Sequence, residues 1–332
     1  MSRKRVAVLG ATGLVGREII RVLEEQQFPA SELVPLASSR SAGSKISFHG
    51  KDVLVQEVSP EAFVGVDIAL FSAGGGTSKK WAPIAAEKGA VVVDNSSAWR
   101  MDPQVPLVIP EVNGGDALLH KGIIANPNCA TIQALVALYP LHQRAGLEYI
   151  NVSTYQSVSG TGKEALEELK KGSVKLLAGE SIEASSYAHP IAFELLPHIG
   201  SFDEEGISEE EWKMVNESRK IMHLPHLMVS GTTVRVPVFR GHGEAIVAQF
   251  KEPLSPQEAR DILSRSPGVV VQDDPANALY PRPRDAAGRD AVFVGRIRRD
   301  TGLKNALAMW VVSDNLRKGA ALNAVQIASL LL

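Results

Sequence analysis

The hydrophobic pattern of the first part of the chain alternates short apolar runs with amphipathic segments. Apolar runs predict buried strands, and amphipathic periodicity predicts helices. The predicted strands are 6–9, 33–37, 68–72, 91–94 and 123–125, and the predicted helices between them are 14–26 and 79–88. Short strands that alternate with helices are typical of βαβ units. We therefore expect an α/β domain with a doubly wound parallel sheet over residues 1–128.

The pattern changes from about residue 149, where strand-like runs follow one another with few helices between them. The strand-like runs are 149–156, 231–239, 244–250, 269–271, 291–298 and 306–312, and the helical segments are 164–177 and 209–221. This order predicts a second, α+β domain with a mixed or antiparallel sheet over residues 129–314. The apolar C-terminal segment 315–332 is expected to form a helix that completes the first domain.

The composition of the chain argues against several classes of function. The chain has 332 residues, is 45% apolar and has a net charge of −2, so nothing in it argues for a nucleic-acid or membrane partner. No apolar run approaches the ~20 residues needed to span a bilayer, and no signal peptide precedes the first strand. A single cysteine can form neither an internal disulfide nor a cysteine-based zinc site. We expect a cytoplasmic protein without a bound metal.

A glycine-rich turn joins the first predicted strand to the first predicted helix. Its sequence from Gly10 to Gly16 has the spacing G-x-x-G-x-x-G, a relative of the dinucleotide fingerprint. The helix N-terminus behind it is an anion site. We expect a Rossmann-like nucleotide site here, with a tight turn that binds nothing as the alternative. Its predicted cofactor-binding residues are Gly10, Thr12, Gly13, Leu14 and Val15, with Ser72 and Gly74 after a later strand.

The end of the second strand predicts which dinucleotide binds. NAD-binding chains usually carry an acidic residue there for the ribose hydroxyls, and this chain has Ser38-Ser39-Arg40-Ser41 instead. Arg40 can form paired hydrogen bonds to a 2′-phosphate, and Ser38 and Ser41 can add more. We therefore predict NADP rather than NAD, with a solvated loop arginine as the alternative.

Cys129, the single cysteine, lies in a loop that runs directly into the apolar helical segment 132–141. Asn128 is a plausible N-cap, and Pro127 prevents the helix from extending backwards. A helix start stabilises a thiolate through free backbone N–H groups and the helix dipole. Cys129 is therefore a candidate nucleophile, although a lone cysteine is usually a small buried apolar residue.

Seven segments, in this order, resemble the aspartate-β-semialdehyde dehydrogenase family. They are DNSSAWRM at 94–101, VIPEVN at 108–113, NPNC at 126–129, QSVSG at 156–160, NESRK at 216–220, VRVP at 234–237 and GHGE at 241–244. The resemblance runs from end to end. It implies reduction of L-β-aspartyl phosphate by NADPH to L-aspartate β-semialdehyde through a cysteine thioester. It also implies a role in lysine (through diaminopimelate), threonine and methionine biosynthesis, and a homodimer or tetramer.

The resemblance assigns three further residues close to the reacting atoms. His242 is the candidate acid/base, which takes the thiol proton or shuttles it to and from the hemithioacetal oxygen; the alternative is a satisfied core or surface histidine. Gln156 would orient the substrate by donating to the acyl oxygen. Arg235 would bind the substrate α-carboxylate, with a structural ion pair as the alternative.

The remaining assignments concern the substrate amino group, the phosphate and the nicotinamide. Glu217 would meet the amino group and Lys220 the phosphate, although the two could simply be an intrahelical ion pair. Arg100 would be the second phosphate ligand, helped by Asn128. The expected nicotinamide neighbours are Ser159, Gly160 and Asn315. Gly243 departs from the family, many of whose members have serine at this position.

Two other readings remain open. Another acyl-phosphate reductase on this fold, such as N-acetylglutamyl-phosphate reductase, would keep Cys129 and His242 but differ at Arg235 and Glu217. A non-catalytic NADP-binding regulator would not need Cys129.

Overall fold

The structure is a computed structural model that describes residues 4–332. The strands in chain order are β1 Lys4–Leu9, β2 Ala30–Ala37, β3 Lys45–Phe48, β4 Lys51–Leu54, β5 Gln56–Glu57, β6 Ile68–Phe71, β7 Val91–Asp94, β8 Ile123–Ala125, β9 Leu147–Gln156, β10 Met228–Arg235, β11 His242–Phe250, β12 Val269–Val271, β13 Val292–Arg299 and β14 Ala306–Ser313. The α-helices are α1 Leu14–Glu25, α2 Gly75–Glu87, α3 Pro110–Asn113, α4 Cys129–Ala145, α5 Lys163–Leu177, α6 Glu209–Ile221, α7 Pro256–Leu263, α8 Pro283–Ala286 and α9 Leu322–Ser329. Unit 1 comprises the described residues up to Asn128 together with Gly319–Leu332, and unit 2 comprises Cys129–Lys318.

Unit 1 contains a six-stranded parallel sheet in the order β5-β2-β1-β6-β7-β8. Its central strands are buried on both faces because their side chains alternate between two apolar layers. In β1, Val6 and Val8 pack in the layer that includes α1 and α9, whereas Ala7 and Leu9 pack in the layer that includes α2. This arrangement confirms the predicted doubly wound parallel sheet.

The C-terminal segment differs from the single helix expected over 315–332. A π-helical turn, Arg317–Ala321, precedes α9. In α9, Leu322 and Val325 are buried in the same core cluster as α1. Asn323, also buried, donates hydrogen bonds to the backbone oxygen of Val108 at 3.0 Å and to Oδ1 of Asn126 at 2.7 Å.

Unit 2 contains a six-stranded mixed sheet in the order β10-β9-β11-β14-β13-β12. The pairs β9–β10 and β12–β13 are parallel, and the pairs β9–β11, β11–β14 and β13–β14 are antiparallel. Residues on β11 alternate in burial: His242, Glu244 and Ile246 are buried, whereas Ala245 is exposed and Val247 half-buried. The predicted second domain with a mixed sheet is confirmed.

One predicted element boundary shifts for a local reason. The strand expected over 231–239 ends at Arg235, shortly before Pro237, which has no N–H to donate to a ladder. The long helix after the cysteine loop begins at Cys129, where an N-cap at Asn128 predicts its first turn. The cysteine is therefore the first residue of α4.

Candidate active site

The glycine-rich turn of unit 1 fits a dinucleotide pyrophosphate. Gly10 has a φ of +86°, and a Cβ added to it would lie 2.2 Å from the backbone oxygen of Ser72. A Cβ on Gly16 would lie 2.1 Å from the backbone oxygen of Gly10, so both positions require glycine. Helix α1 starts at Leu14 without a side-chain cap from any described residue, which leaves its first N–H groups facing outward. The predicted Thr12, Gly13, Leu14 and Val15 all lie in this turn.

The other predicted cofactor residues of unit 1 lie at the carboxyl ends of neighbouring strands. Ser38 and Arg40 are exposed just after β2, and Ser41 is half-buried. Ser72 follows β6, and Gly74, with a φ of +79°, precedes α2. Strands β2, β1 and β6 are adjacent, so these residues and the glycine turn share one edge of the sheet. The residues present therefore suit a dinucleotide.

Arg100 is buried in unit 1, although a residue in a loop could also have been exposed on the surface. Its Nε donates to the backbone oxygen of Asn126 at 3.0 Å, and its Nη2 donates to the backbone oxygen of Asn95 at 2.9 Å. Asn126 and Asn128 are buried too. These contacts tie Arg100 to the loop that leads into Cys129, and its role as a phosphate ligand stays a prediction.

Cys129 is half-buried at the first position of α4, not sealed in the core. The helix start places the positive end of the dipole at the sulfur. Thr131, one residue beyond Ala130, donates to Sδ of Met214 on α6 at 3.5 Å, which links the first turn of α4 to α6. The setting suits a thiolate nucleophile.

His242 begins β11, and its ring is fully buried in unit 2. Its Nδ1 accepts the backbone N–H of Ser157 at 3.0 Å and lies 3.1 Å from the hydroxyl of the same residue. Its Nε2 is buried, and no described residue gives it a hydrogen-bond partner. Burial and, less strongly, the Arg235 guanidinium lower the pKa of His242 to about 3, against a smaller opposing effect of Glu210.

Arg235 and His242 converge on the space above Gly160. A Cβ added to Gly160 would lie 3.1 Å from Nη1 of Arg235 and 3.5 Å from Nε2 of His242. Nη1 donates to the backbone oxygen of Ser157 at 2.8 Å, while the buried Nε of Arg235 lacks a partner in the described part of the chain. Gly160 itself is exposed. A cation and an imidazole nitrogen thus lie beside the same glycine.

Gln156 uses its amide differently from the prediction. Nε2 donates to Oε1 of Glu210 at 3.0 Å and to Oγ1 of Thr154 at 3.3 Å, so both of its protons are engaged. Donation to an acyl oxygen, which stays a prediction, would require the amide to leave Glu210.

Helix α6 presents three of the site residues. Glu217 is buried and Lys220 is half-buried. Glu210, which was not predicted, is buried on the same face two turns earlier and also pairs with Lys213 at 3.1 Å. The seven-residue spacing from Glu217 is the signal that could have identified Glu210, although the acidic run 209–211 also suits the first turn of a solvated helix.

Glu244 is a second buried carboxyl that the sequence analysis missed. Neither carboxyl oxygen of Glu244 has a hydrogen-bond partner among residues 4–332. Nε2 of Gln133 also has no hydrogen-bond partner among these residues. Burial raises the pKa of Glu244 well above its usual value, and the negative charge of Glu210 raises it further. The nearby Gln133 side chain, which is outside hydrogen-bonding geometry, has a smaller, lowering effect on this pKa. Burial therefore favours the protonated, neutral form of Glu244 in the folded protein. Gln133 lies one turn after Cys129 and accepts a hydrogen bond from Ser313 at 2.6 Å.

The predicted nicotinamide neighbours of unit 2 form one hydrogen-bonded group. Oδ1 of Asn315 accepts the backbone N–H of Gly241 at 2.9 Å and the hydroxyls of Ser157 and Ser159 at 3.1 Å each. Gly241 has a φ of +90°, and a Cβ there would lie 2.7 Å from the backbone oxygen of Pro283. The group fixes the turn before His242.

The described residues contain neither a cluster suited to a metal ion nor a helix suited to span a membrane. No three or more His, Cys, Asp or Glu side chains are placed to hold a metal ion. None of the described helices has the length and apolar character needed to cross a membrane.

Comparison with known proteins agrees with the division into a nucleotide-binding unit and a second unit. Residues 5–120 match the family model "Semialdehyde dehydrogenase, NAD binding domain", and residues 138–318 match "Semialdehyde dehydrogenase, dimerisation domain". The aspartate-semialdehyde dehydrogenase of Aquifex aeolicus is 55% identical over 331 residues, covering 98% of this chain and 97% of that protein.

Two solved structures extend the comparison. Aspartate semialdehyde dehydrogenase II of Vibrio cholerae, complexed with ASA, has a TM-score of 0.97 at 48% identity and covers 100% of this chain and 98% of its own. The Candida albicans enzyme with NADP has a TM-score of 0.77 at 27% identity and covers 99% and 98%. The full-length match to both domains confirms the resemblance seen in the sequence, and the chain belongs to the aspartate-semialdehyde dehydrogenase family.

Proposed function

We propose that the protein catalyses the reversible, NADPH-dependent reductive dephosphorylation of L-β-aspartyl phosphate to L-aspartate β-semialdehyde. The observation that carries the proposal is the convergence of Nη1 of Arg235 and Nε2 of His242 beside Gly160, in a unit whose half-buried cysteine starts a helix. A guanidinium next to an imidazole suits a small anionic acyl substrate, and the helix start suits a thiolate.

The predicted site residues would have separate roles in this reaction. Cys129 would attack the acyl carbon and expel phosphate, giving a thioester. Arg235 would bind the α-carboxylate through its planar guanidinium, and Glu217 would bind the amino group. Lys220, Arg100 and Asn128 would bind the phosphate. The bound nicotinamide would supply the hydride that reduces the thioester.

We propose NADP as the cofactor, held by the glycine turn, Ser38, Arg40 and Ser41 in unit 1 and by Ser159, Gly160 and Asn315 in unit 2. Support comes from the missing acidic residue after β2, where Arg40 is exposed and suited to a 2′-phosphate. The NADP in the Candida albicans relative is a second support.

We further propose a cytoplasmic homodimer that feeds lysine, threonine and methionine synthesis. The match of unit 2 to a dimerisation domain supports self-association. One face of its sheet also exposes residues that a second copy could cover, such as Tyr155, Ala245 and Val247. Sedimentation analysis of the wild-type protein and of Val247→Asp tests this: the wild type should be a dimer, and the variant should shift towards monomer.

The activity is tested by following NADPH formation from aspartate semialdehyde, NADP and inorganic phosphate. The reaction should require phosphate and should be lost in Cys129→Ala. N-acetylglutamate semialdehyde and glyceraldehyde 3-phosphate serve as competing substrates, and preference for either would support another acyl-phosphate reductase. Binding of NADP without turnover of any of the three would support the regulator instead.

A further inference from the structure

Three asparagine side chains form a chain of hydrogen bonds at the carboxyl edge of the parallel sheet in unit 1. Asn95 follows β7, Asn126 follows the adjacent strand β8, and Asn323 lies on α9. Nδ2 of Asn126 donates to Oδ1 of Asn95 at 3.0 Å, and Oδ1 of Asn126 accepts from Nδ2 of Asn323 at 2.7 Å. We call these three residues the asparagine ladder. The ladder joins two neighbouring strand ends to the C-terminal helix.

The contacts at its two ends determine the direction of every amide in the asparagine ladder. Nδ2 of Asn95 donates to the backbone oxygen of Phe71 at 2.8 Å, and Nδ2 of Asn323 donates to that of Val108 at 3.0 Å. Backbone oxygens can only accept, so both terminal amides must turn their NH₂ groups towards them. A flipped Asn126 would oppose oxygen to oxygen and nitrogen to nitrogen, so one orientation fits. Hydrogen bonding therefore specifies an amide at all three positions.

The asparagine ladder also holds the side chain of Arg100. The guanidinium donates through Nε to the backbone oxygen of Asn126 at 3.0 Å and through Nη2 to that of Asn95 at 2.9 Å. The two residues that bind Arg100 with their backbones are thus linked to each other by their side chains. Because a guanidinium is planar and its donors have fixed directions, any tilt of these two oxygens turns its other N–H groups as well.

We propose that Asn323 is a positioning residue for phosphate, which acts through Asn126 to set the direction of the Arg100 guanidinium. The inference rests on the proposed function, in which Arg100 is a phosphate ligand. Asn323 is fully buried and would not touch the phosphate itself. The proposal gives the C-terminal helix a role in substrate binding. If Asn323 only attached α9 to the sheet, its loss would lower stability without a selective effect on phosphate.

The kinetic test compares Asn323→Ala with Val325→Ala, which removes buried apolar atoms of the same helix outside the asparagine ladder. Asn323→Ala should raise the KM for phosphate about tenfold, the size expected from weakening a hydrogen bond to a charged group. The KM values for NADP and aspartate semialdehyde should stay nearly unchanged. Val325→Ala should lower the melting temperature and leave all three KM values unchanged.

A milder variant keeps this test usable if Asn323→Ala folds poorly. Asn323→Ser retains a shorter hydrogen-bond donor and should raise the KM for phosphate less than Asn323→Ala does. A wild-type KM for phosphate in the variants at position 323, or an equal rise in all three KM values, would show that Asn323 does not position the phosphate ligand.

A double-mutant cycle determines whether Asn323 acts through Arg100. Arg100→Ala alone should raise the KM for phosphate by about 10–100-fold, since it removes a charged donor group. In the Arg100→Ala background, Asn323→Ala should have no further effect on this KM, because the group that it positions is absent. Additive effects of the two substitutions would contradict the proposal.

Phosphate binding can also be measured without turnover. The melting temperature of the wild type with NADP should rise with the concentration of inorganic phosphate, because a ligand of the folded state stabilises it. Potassium chloride at matched ionic strength is the control for salt. The rise should be largely lost in Asn323→Ala and kept in Val325→Ala.

The outcomes of this measurement separate the inference from the proposed function. An equal rise in Asn323→Ala and Val325→Ala, or no rise in the wild type, would overturn the inference. A protein that shows the expected pattern but turns over neither aspartate semialdehyde nor the two competing substrates would contradict the proposed function alone.

Discussion

Arg235 and His242 meet over Gly160, with Nη1 of the first and Nε2 of the second 3.1 and 3.5 Å from the position of a Cβ on that glycine. The two residues come from different strands, β10 and β11, which both pair with β9. Register therefore brings together two side chains that are seven residues apart in sequence. The position beside these two nitrogen atoms is the volume in which we expect the substrate to bind.

Gly160→Ala should obstruct this volume without unfolding the protein. The new methyl group would crowd the two nitrogen atoms, so we expect kcat/KM for aspartate semialdehyde to fall at least about tenfold, from an interaction loss on the order of 1–3 kcal/mol. Gly115→Ala, whose Cβ would meet no atom within 4 Å, is the matched control. Steady-state kinetics and thermal melting measure both effects, and unchanged kinetics in Gly160→Ala would place the substrate elsewhere.

Glu244 predicts an unusual pH dependence of stability. The pKa of this buried carboxyl is raised in the folded state, so the native protein holds a proton that the unfolded chain releases above about pH 4.5. The Glu244 contribution to the free energy of unfolding should therefore fall by about 1 kcal/mol per pH unit as the pH rises from 4.5 towards the folded pKa.

Glu244→Gln removes this titration, so the variant should gain stability relative to the wild type between pH 5 and pH 7. Denaturant unfolding at several pH values measures the difference. Glu252→Gln, at an exposed position, is the control. A difference between Glu244→Gln and wild type that stays constant with pH would mean that Glu244 titrates alike in both states.

Close packing against a neighbouring side chain explains why residue 243 is glycine in this protein. A Cβ there would lie 2.4 Å from Cζ2 of Trp310, whose ring is held by a hydrogen bond from Nε1 to the backbone oxygen of Pro281 at 2.9 Å. The ring also contacts Tyr155, with centroids 5.5 Å apart. The serine found in many family members therefore has no room here.

Gly243→Ser should accordingly destabilise the protein by about 1–3 kcal/mol, the usual cost of overpacking. Adding Trp310→Leu should recover part of this loss because it removes the ring that the serine would strike. Ala276→Ser, at an exposed position of unit 2, is the control. Thermal melting of the wild type, Gly243→Ser, Trp310→Leu and the double variant measures the coupling, and independent, additive effects of the two substitutions would contradict the packing argument.

Local sequence patterns predicted the parts of the fold that depend on residues close together in the sequence. The strand–turn–helix around Gly10 and the start of α4 near Cys129 follow from glycine spacing, capping and hydrophobic periodicity. Glu244 could not be recognised in this way, and only its spacing from Glu217 could have pointed to Glu210. Charged residues usually indicate a solvent face, and the burial of both carboxyls depends on packing between α6, α4 and the sheet.

The contact between Ser157 and His242 could not be predicted from the sequence for a related reason. Ser157 belongs to a Ser-rich segment that predicts only the end of a strand. Its N–H reaches His242 because β9 and β11 pair antiparallel, which brings the end of one strand beside the start of the other. The seven segments that resemble the family provide candidate site residues, but they do not indicate which hydrogen bonds these residues form.

Arg40→Ala tests the cofactor assignment. Since a guanidinium can form two charge-assisted hydrogen bonds to a phosphate, its loss should raise the KM for NADP by about 10–100-fold and leave the KM for NAD nearly unchanged. Lys51→Ala, which removes another exposed cation of unit 1 on β4, controls for a general loss of positive charge. Initial rates with both cofactors at saturating aspartate semialdehyde and phosphate provide the measurement. If Arg40→Ala weakens NADP no more than NAD, the 2′-phosphate does not bind at Arg40, and the preference for NADP would have to come from another part of the nucleotide site.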